Sequence, residues 1–112
     1  MPDRPAQVLF VCSRNQWRSP TAEQVWRRHP KVICRSAGTS PRARRTVTAS
    51  DVQWADVIYV MEPKHRDRIK ARFGRLVAHT RIVVLDIPDE YGYMDPDLVA
   101  MFEAELDAFL AG

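Results

Sequence analysis

Five residues lie between Cys12 and Arg18, in the run Cys12-Ser13-Arg14-Asn15-Gln16-Trp17-Arg18-Ser19-Pro20, and that spacing suits anion chemistry. Five residues can curl so that their backbone N–H groups converge on one tetrahedral anion, and a helix beginning at the loop's end adds the positive end of its dipole. Arg18 closes the ring with a planar guanidinium able to grip two phosphoryl oxygens together, which a lysine cannot imitate. Asn15 is one of the few side chains other than glycine that tolerates a left-handed backbone, useful where the loop must turn. The field that holds a phosphate also favours a thiolate, so Cys12 is expected to act as a nucleophile. A free thiol is already a few per cent ionised at neutral pH, so full ionisation adds at most roughly a few tens of fold in rate. The larger gains must come from aligning sulfur with phosphorus and holding the equatorial oxygens through the transition state. Ser19 is placed to donate a hydrogen bond to the sulfur and ease its departure in a second step.

A loop of this kind needs a strand before it and a helix after it. Val8-Leu9-Phe10-Val11 is a short β-branched and aromatic run that reads as a buried strand. Ser19-Pro20 reads as an N-cap with proline in the first helical position, and Ala22, Val25 and Trp26 share one face of that helix. His29-Pro30 ends it, Lys31 to Arg35 is expected as a second strand, and Ser36-Ala37-Gly38-Thr39 is expected to turn away from it. Beyond an irregular basic stretch, Ser40 to Arg45, Thr48 is expected to cap a short helix through Trp54, and Val57 to Met61 forms a third strand. A helix from about Lys64 to Phe73 precedes the fourth strand, Arg81 to Leu85. After a loop to Met94, Asp95-Pro96 opens a last helix carrying Leu98, Phe102, Leu106 and Phe109 on one side. The alternation predicts an α/β fold, a three-layer sandwich with a four-stranded parallel sheet flanked by helices, its ligand site at the carboxyl ends of the strands. Both the Cys12–Arg18 loop and the segment from Asp86 to Tyr93 fall at that end.

From Val8 to Glu23 the chain resembles the phosphate-loop signature of the low-molecular-weight protein tyrosine phosphatases. Ser36-Ala37-Gly38-Thr39, Ala55-Asp56-Val57-Ile58 with Met61, and Asp86-Ile87-Pro88-Asp89-Glu90-Tyr91 are similar to further family motifs in order and spacing, so nearly the whole chain is covered. The resemblance implies a phosphotyrosine phosphatase-like fold and a phosphocysteine intermediate, with Cys12 as nucleophile, Arg18 as phosphate clamp and Asp89 as general acid and base. It also implies that Ser13, Arg14, Asn15, Gln16, Trp17 and Ser19 bind phosphate or support the loop. Trp17, Tyr91 and Tyr93 are expected to line an aromatic substrate rim, while Trp54 is expected in packing, and phosphate or sulfate is the expected occupant of the loop. Four departures from the family pattern stand out: Arg14 in place of the loop glycine, Trp17 in place of a second loop cysteine, Glu90 where proline follows the acid, and a shortened segment over residues 40–46.

The 112 residues are expected to form one phosphatase-like domain. Hydrophobic residues make up 46% and charged residues 28%, a globular composition, and the net charge of +3 suits anionic substrates without pointing to nucleic acid. No apolar run approaches the roughly 20 residues that span a bilayer, and the N-terminus has no signal-like stretch, so the expected location is the cytoplasm and no membrane partner is expected. His29, His65 and His79 lack ligand spacing and are expected on the surface, so neither metal nor cofactor is expected. Cys34 is expected as a small core residue, with a redox role beside Cys12 as the alternative. Asp86 and Asp95 stand near Asp89 as other turn carboxylates, and Arg42, Arg44 and Arg45 read as a solvated face. The expected partner is a phosphorylated protein or small phosphoryl substrate. Rival readings are an arsenate reductase-like enzyme, which would need a cysteine relay, an arginine-phosphate phosphatase, and a phosphate-binding module without turnover.

Overall fold

The computed structural model describes residues 4–112. Four strands, β1 (Ala6–Cys12), β2 (Val32–Gly38), β3 (Val57–Val60) and β4 (Arg81–Val84), lie parallel in the order β2-β1-β3-β4. Four helices, α1 (Arg18–Trp26), α2 (Ala49–Trp54), α3 (Pro63–Phe73) and α4 (Pro96–Ala111), alternate with them. The sheet is covered on both faces, the three-layer α/β arrangement expected from the alternation. β1 is interior, so its central residues are buried on both sides and read as a continuous apolar run.

The side chains of β1 divide by parity. Val8, Phe10 and Cys12 face the layer containing Ala22, Val25 and Trp26 of α1 and Leu98 and Phe102 of α4. Leu9 and Val11 face the opposite layer, with Val52 of α2 and Ile69 and Phe73 of α3. In the first layer Phe10 meets Trp26 edge to face at 4.9 Å, and the Trp26 indole N–H donates to the Phe102 carbonyl at 2.9 Å. That bond satisfies a buried donor while tying α1 to α4. Because Cys12 ends the inner strand on the α1 side, the loop that follows must start beneath the first turn of α1.

Several boundaries differ from the sequence expectation. β2 continues through Ser36, Ala37 and Gly38 instead of turning away, because the register carries Cys12 opposite Gly38. α1 begins at Arg18, and its N-cap, Trp17, makes no side-chain cap. Ser19 is therefore no N-cap; its hydroxyl is engaged elsewhere. Thr48 and Asp95 do cap α2 and α4, accepting from the Asp51 and Asp97 amides. Among the described residues no helix is long and apolar enough to cross a membrane.

Candidate functional site

The loop from Cys12 to Arg18 is held open from outside by the backbone that follows β2. The amides of Thr39, Ser40 and Arg44 donate to the carbonyls of Cys12, Ser13 and Arg14 at 2.9, 3.0 and 3.0 Å. Gly38 permits this approach: a Cβ there would meet the Ser13 carbonyl at 2.5 Å and the Ala43 side chain at 2.6 Å. The shortened 40–46 segment is thus a strap for the loop. With its first carbonyls occupied, the loop turns at Asn15, the one non-glycine residue in it with a left-handed backbone (φ 55°). Arg14 does not carry a positive φ, so a side chain at that position costs no backbone strain. Among the described residues, the amides of residues 13–17 find no acceptor. Donors of this kind at the start of a helix form a receptor for an anion.

Beneath the loop, the Cys12 sulfur lies 2.9 Å from the Ser19 hydroxyl oxygen. Asn15 Nδ2 donates to that same oxygen and to the Ser36 hydroxyl, each at 3.0 Å, and the Ser36 hydroxyl donates to the Glu23 carboxylate at 2.5 Å. Ser19 accepts from Asn15, and its own O–H has two acceptors in reach, the Ala37 carbonyl at 3.3 Å and the Cys12 sulfur. A thiolate has only acceptor capacity, so Ser19 is the one of the pair able to donate to it.

Arg18 is buried, with 2% of its side chain exposed, and its Nη1 is fully occupied. Nη1 donates to the Ile87 carbonyl at 2.8 Å and to the Glu62 carboxylate at 2.5 Å. The Nε and Nη2 edge is left for a second bidentate partner, and the Asp89 carboxylate sits 3.6 Å from Nε. The Arg18 hydrogen bond holds the Glu62 carboxyl below the usual carboxylate range, so Glu62 stays charged and is poorly suited to give up a proton. Asp89 reaches this place because the chain after β4 remains pinned to the end of β3, through Leu85 N to Val60 O and Ile87 N to Met61 O at 2.9 and 2.8 Å. Asp86 takes a left-handed turn and Asp95 caps α4, so neither lines the pocket beside Cys12.

Of the residues expected at the site, Cys12, Ser13, Arg14, Gln16, Trp17, Arg18 and Asp89 line one small pocket. Asn15 and Ser19 are buried behind it. Tyr91 does not join them; it packs on the apolar cluster beneath α1 and α4, and Tyr93 is also absent from the lining. Trp17 is the aromatic residue at the mouth, 46% exposed. Cys34 is half-buried against the same apolar cluster, and burial pushes its thiol up to about 12.

Two residues were missed in the sequence. His65 is fully buried, contrary to the surface position expected for it, while His29 and His79 remain accessible. Its Nδ1 accepts the Glu62 amide at 3.0 Å and its Nε2 lies 2.9 Å from the Ser13 hydroxyl. Glu62 itself was unremarked, although Glu62-Pro63 follows a predicted strand at the ligand-binding end, which is the signal that marks it. Arg45 also departs from the solvated-face reading, since it pairs with the buried Asp51 and donates to the Ser36 carbonyl at 2.8 Å. Among the described residues, no group of three or more His, Cys, Asp or Glu side chains is arranged to hold a metal ion.

No family model matches the sequence, and no curated protein matches it. The likeness is to solved structures. SP-PTP, a low molecular weight protein tyrosine phosphatase from Streptococcus pyogenes, aligns with a TM-score of 0.76 at 18% identity, over 95% of this chain and 91% of its own. YfkJ from Bacillus subtilis aligns at 0.75 and 21% identity, over 99% and 96%. The YwlE arginine phosphatase from Geobacillus stearothermophilus aligns at 0.67 and 24% identity, over 93% and 87%. At these identities the likeness establishes the fold.

Proposed function

We propose that this chain, on the fold of the low-molecular-weight protein tyrosine phosphatases, hydrolyses phosphate monoesters through a phosphocysteine on Cys12. The observation that carries the reading is one pocket in which the Cys12 sulfur, the free edge of Arg18 and the Asp89 carboxylate face the same space. In the first step the Cys12 thiolate attacks phosphorus. The free loop amides and the Nε and Nη2 edge of Arg18 hold the equatorial oxygens, while Asp89, protonated, gives its proton to the departing oxygen. In the second step Asp89 takes a proton from water, the resulting hydroxide attacks phosphorus, and the sulfur leaves as a thiolate. Ser19 donates to that thiolate and lowers its cost as a leaving group. Thiolate, guanidinium and amides supply the charges the reaction needs, so the proposed chemistry calls on neither metal nor cofactor.

The proposed substrate is phosphotyrosine on a protein or peptide. The exposed Trp17 beside the pocket offers a face for an aryl ring. Arginine phosphate is the second reading, favoured by the likeness to YwlE. Arsenate reduction lacks its relay. Cys34 pairs with Val8 while Cys12 pairs with Gly38, a four-residue offset that separates the two cysteines by about 13 Å along the strands. A disulfide needs Cα atoms within about 7 Å. The proposed setting is the cytoplasm, as one domain.

The test is release of the phenol from a chromogenic aryl phosphate with a chelator present, followed by phosphate release from phosphotyrosine and phosphoarginine peptides. The account expects turnover by the wild type, none by Cys12→Ser, and faster release from phosphotyrosine. Wild-type protein that binds phosphate and releases no phenol is a binding module, and the enzymatic reading fails.

A further inference from the structure

Nothing in the hydrolytic mechanism above uses His65, yet it is a fully buried titratable side chain on a basic, solvent-facing helix. Polar groups are placed this deep when their hydrogen bonds require it. We propose that His65 is the positioning residue of the phosphate loop, holding Ser13 at its beginning and, through Glu62, Arg18 at its end.

The geometry assigns the proton. Nδ1 accepts the Glu62 amide, so in a neutral ring the hydrogen sits on Nε2, and Nε2 donates to the Ser13 hydroxyl. Ser13 is thereby fixed twice, by its side chain from α3 and by its carbonyl from the Ser40 amide of the strap. Its own hydroxyl hydrogen remains free for an acceptor, and Ser13 lines the pocket. The second arm runs through Glu62, whose backbone is held by His65 and whose carboxylate orients Arg18. One imidazole therefore spaces the two ends of the loop against each other. Burial, together with Arg18, lowers the His65 pKa to about 4, while the Glu62 carboxylate opposes and Lys64 and Arg68 reinforce the shift. The ring stays uncharged at neutral pH and keeps an acceptor for the Glu62 amide.

The spacing matters because a loop that binds phosphate in its ground state must still fit the pentacoordinate transition state. A misplacement of about 1 Å can cost about 10²-fold in rate. Loss of His65 should consequently appear in turnover and in affinity for a transition-state analogue, and much less in ground-state binding.

The proposal rests on the phosphatase reading, and the experiment separates the two. His65→Phe keeps a flat ring and removes both bonds; His65→Gln restores an N–H near the position of Nε2; His65→Asn restores an acceptor near that of Nδ1. Each is assayed on a chromogenic aryl phosphate, with vanadate and inorganic phosphate affinities and a thermal melt. His65→Phe is expected to lose about 10²-fold in kcat with KM within about threefold, and to weaken vanadate far more than phosphate. His65→Gln and His65→Asn should each recover part of the loss. Ser13→Ala should lose about tenfold, and much less when added to His65→Phe, since the Ser13–His65 bond is already gone there. A folded His65→Phe with wild-type kcat and vanadate affinity overturns the proposal. If His65→Phe does not fold, wild-type turnover by Ser13→Ala together with wild-type turnover by His65→Gln and His65→Asn overturns it. A wild type inert toward every phosphate ester, whose His65 variants still lose vanadate more than phosphate, sinks the phosphatase reading and upholds the positioning role.

Discussion

Two cysteines stand on neighbouring parallel strands, in unlike surroundings. Cys34 lies midway along β2, an edge strand, opposite Val8. Its thiol packs on apolar side chains, and burial, with the Glu23 carboxylate adding to it, raises its pKa to about 12. Cys12 ends β1, inside the sheet, where the Ser19 hydroxyl reaches its sulfur, Arg18 shares its pocket and the amides of the following turn are free. The side chains are identical, Cys12 buried and Cys34 half-buried. The difference is that successive amides along a strand point to opposite sides and cannot converge on one ligand, whereas those just past a strand's end can curl around it. The last turn of a strand can gather unsatisfied donors; its middle cannot.

The sharpest way to break this contrast is alkylation at neutral pH. Iodoacetamide should modify Cys12 about 10³-fold faster than Cys34, and phosphate should protect Cys12, as read by peptide mass. Equal labelling would remove the distinction. Next in size is Asp89→Asn, which should slow esters of poor leaving groups about 10²-fold and activated aryl esters much less. A uniform loss across leaving groups would assign the acid elsewhere.

The polar end should also be where the fold is sensitive to acid. The unfolded chain protonates His65 near pH 6.5 and the folded chain only near 4, so the unfolded state takes up the proton first as pH falls. Stability should decline between about pH 6.5 and about pH 4, by up to about 3 kcal/mol, and His65→Asn should flatten that decline in urea melts. Glu62, whose carboxyl Arg18 holds low, adds its loss only at lower pH. Smallest of all is Cys34→Ser, expected to change kcat by less than about twofold; a larger loss would give the edge strand a chemical role.

What the sequence discloses depends on how local the interaction is. The strand, loop and helix around Cys12 are contiguous, so residue types and spacing report them together, down to the left-handed turn at Asn15. Asp89 is legible because strand order sends its loop to the same end of the sheet. The supports of the loop lie far along the chain. Ser13 and His65 are 52 residues apart, and Arg18 and Glu62 are 44 apart. Histidine spacing tests for metal sites, so a lone buried histidine escapes it. Ser19-Pro20 has the local chemistry of a helix cap, and that reading fails because the Cys12 sulfur competes for the same hydroxyl. The aromatic character of Tyr91 suits a substrate rim, yet its ring packs on the apolar layer.

The central claim is that phosphorus passes through sulfur. Asp89→Asn, mixed with an activated aryl phosphate and quenched in acid within one turnover, should carry one phosphoryl group on Cys12 by peptide mass spectrometry. Product released while Cys12 stays unmodified, or phosphate found on another side chain, would contradict it.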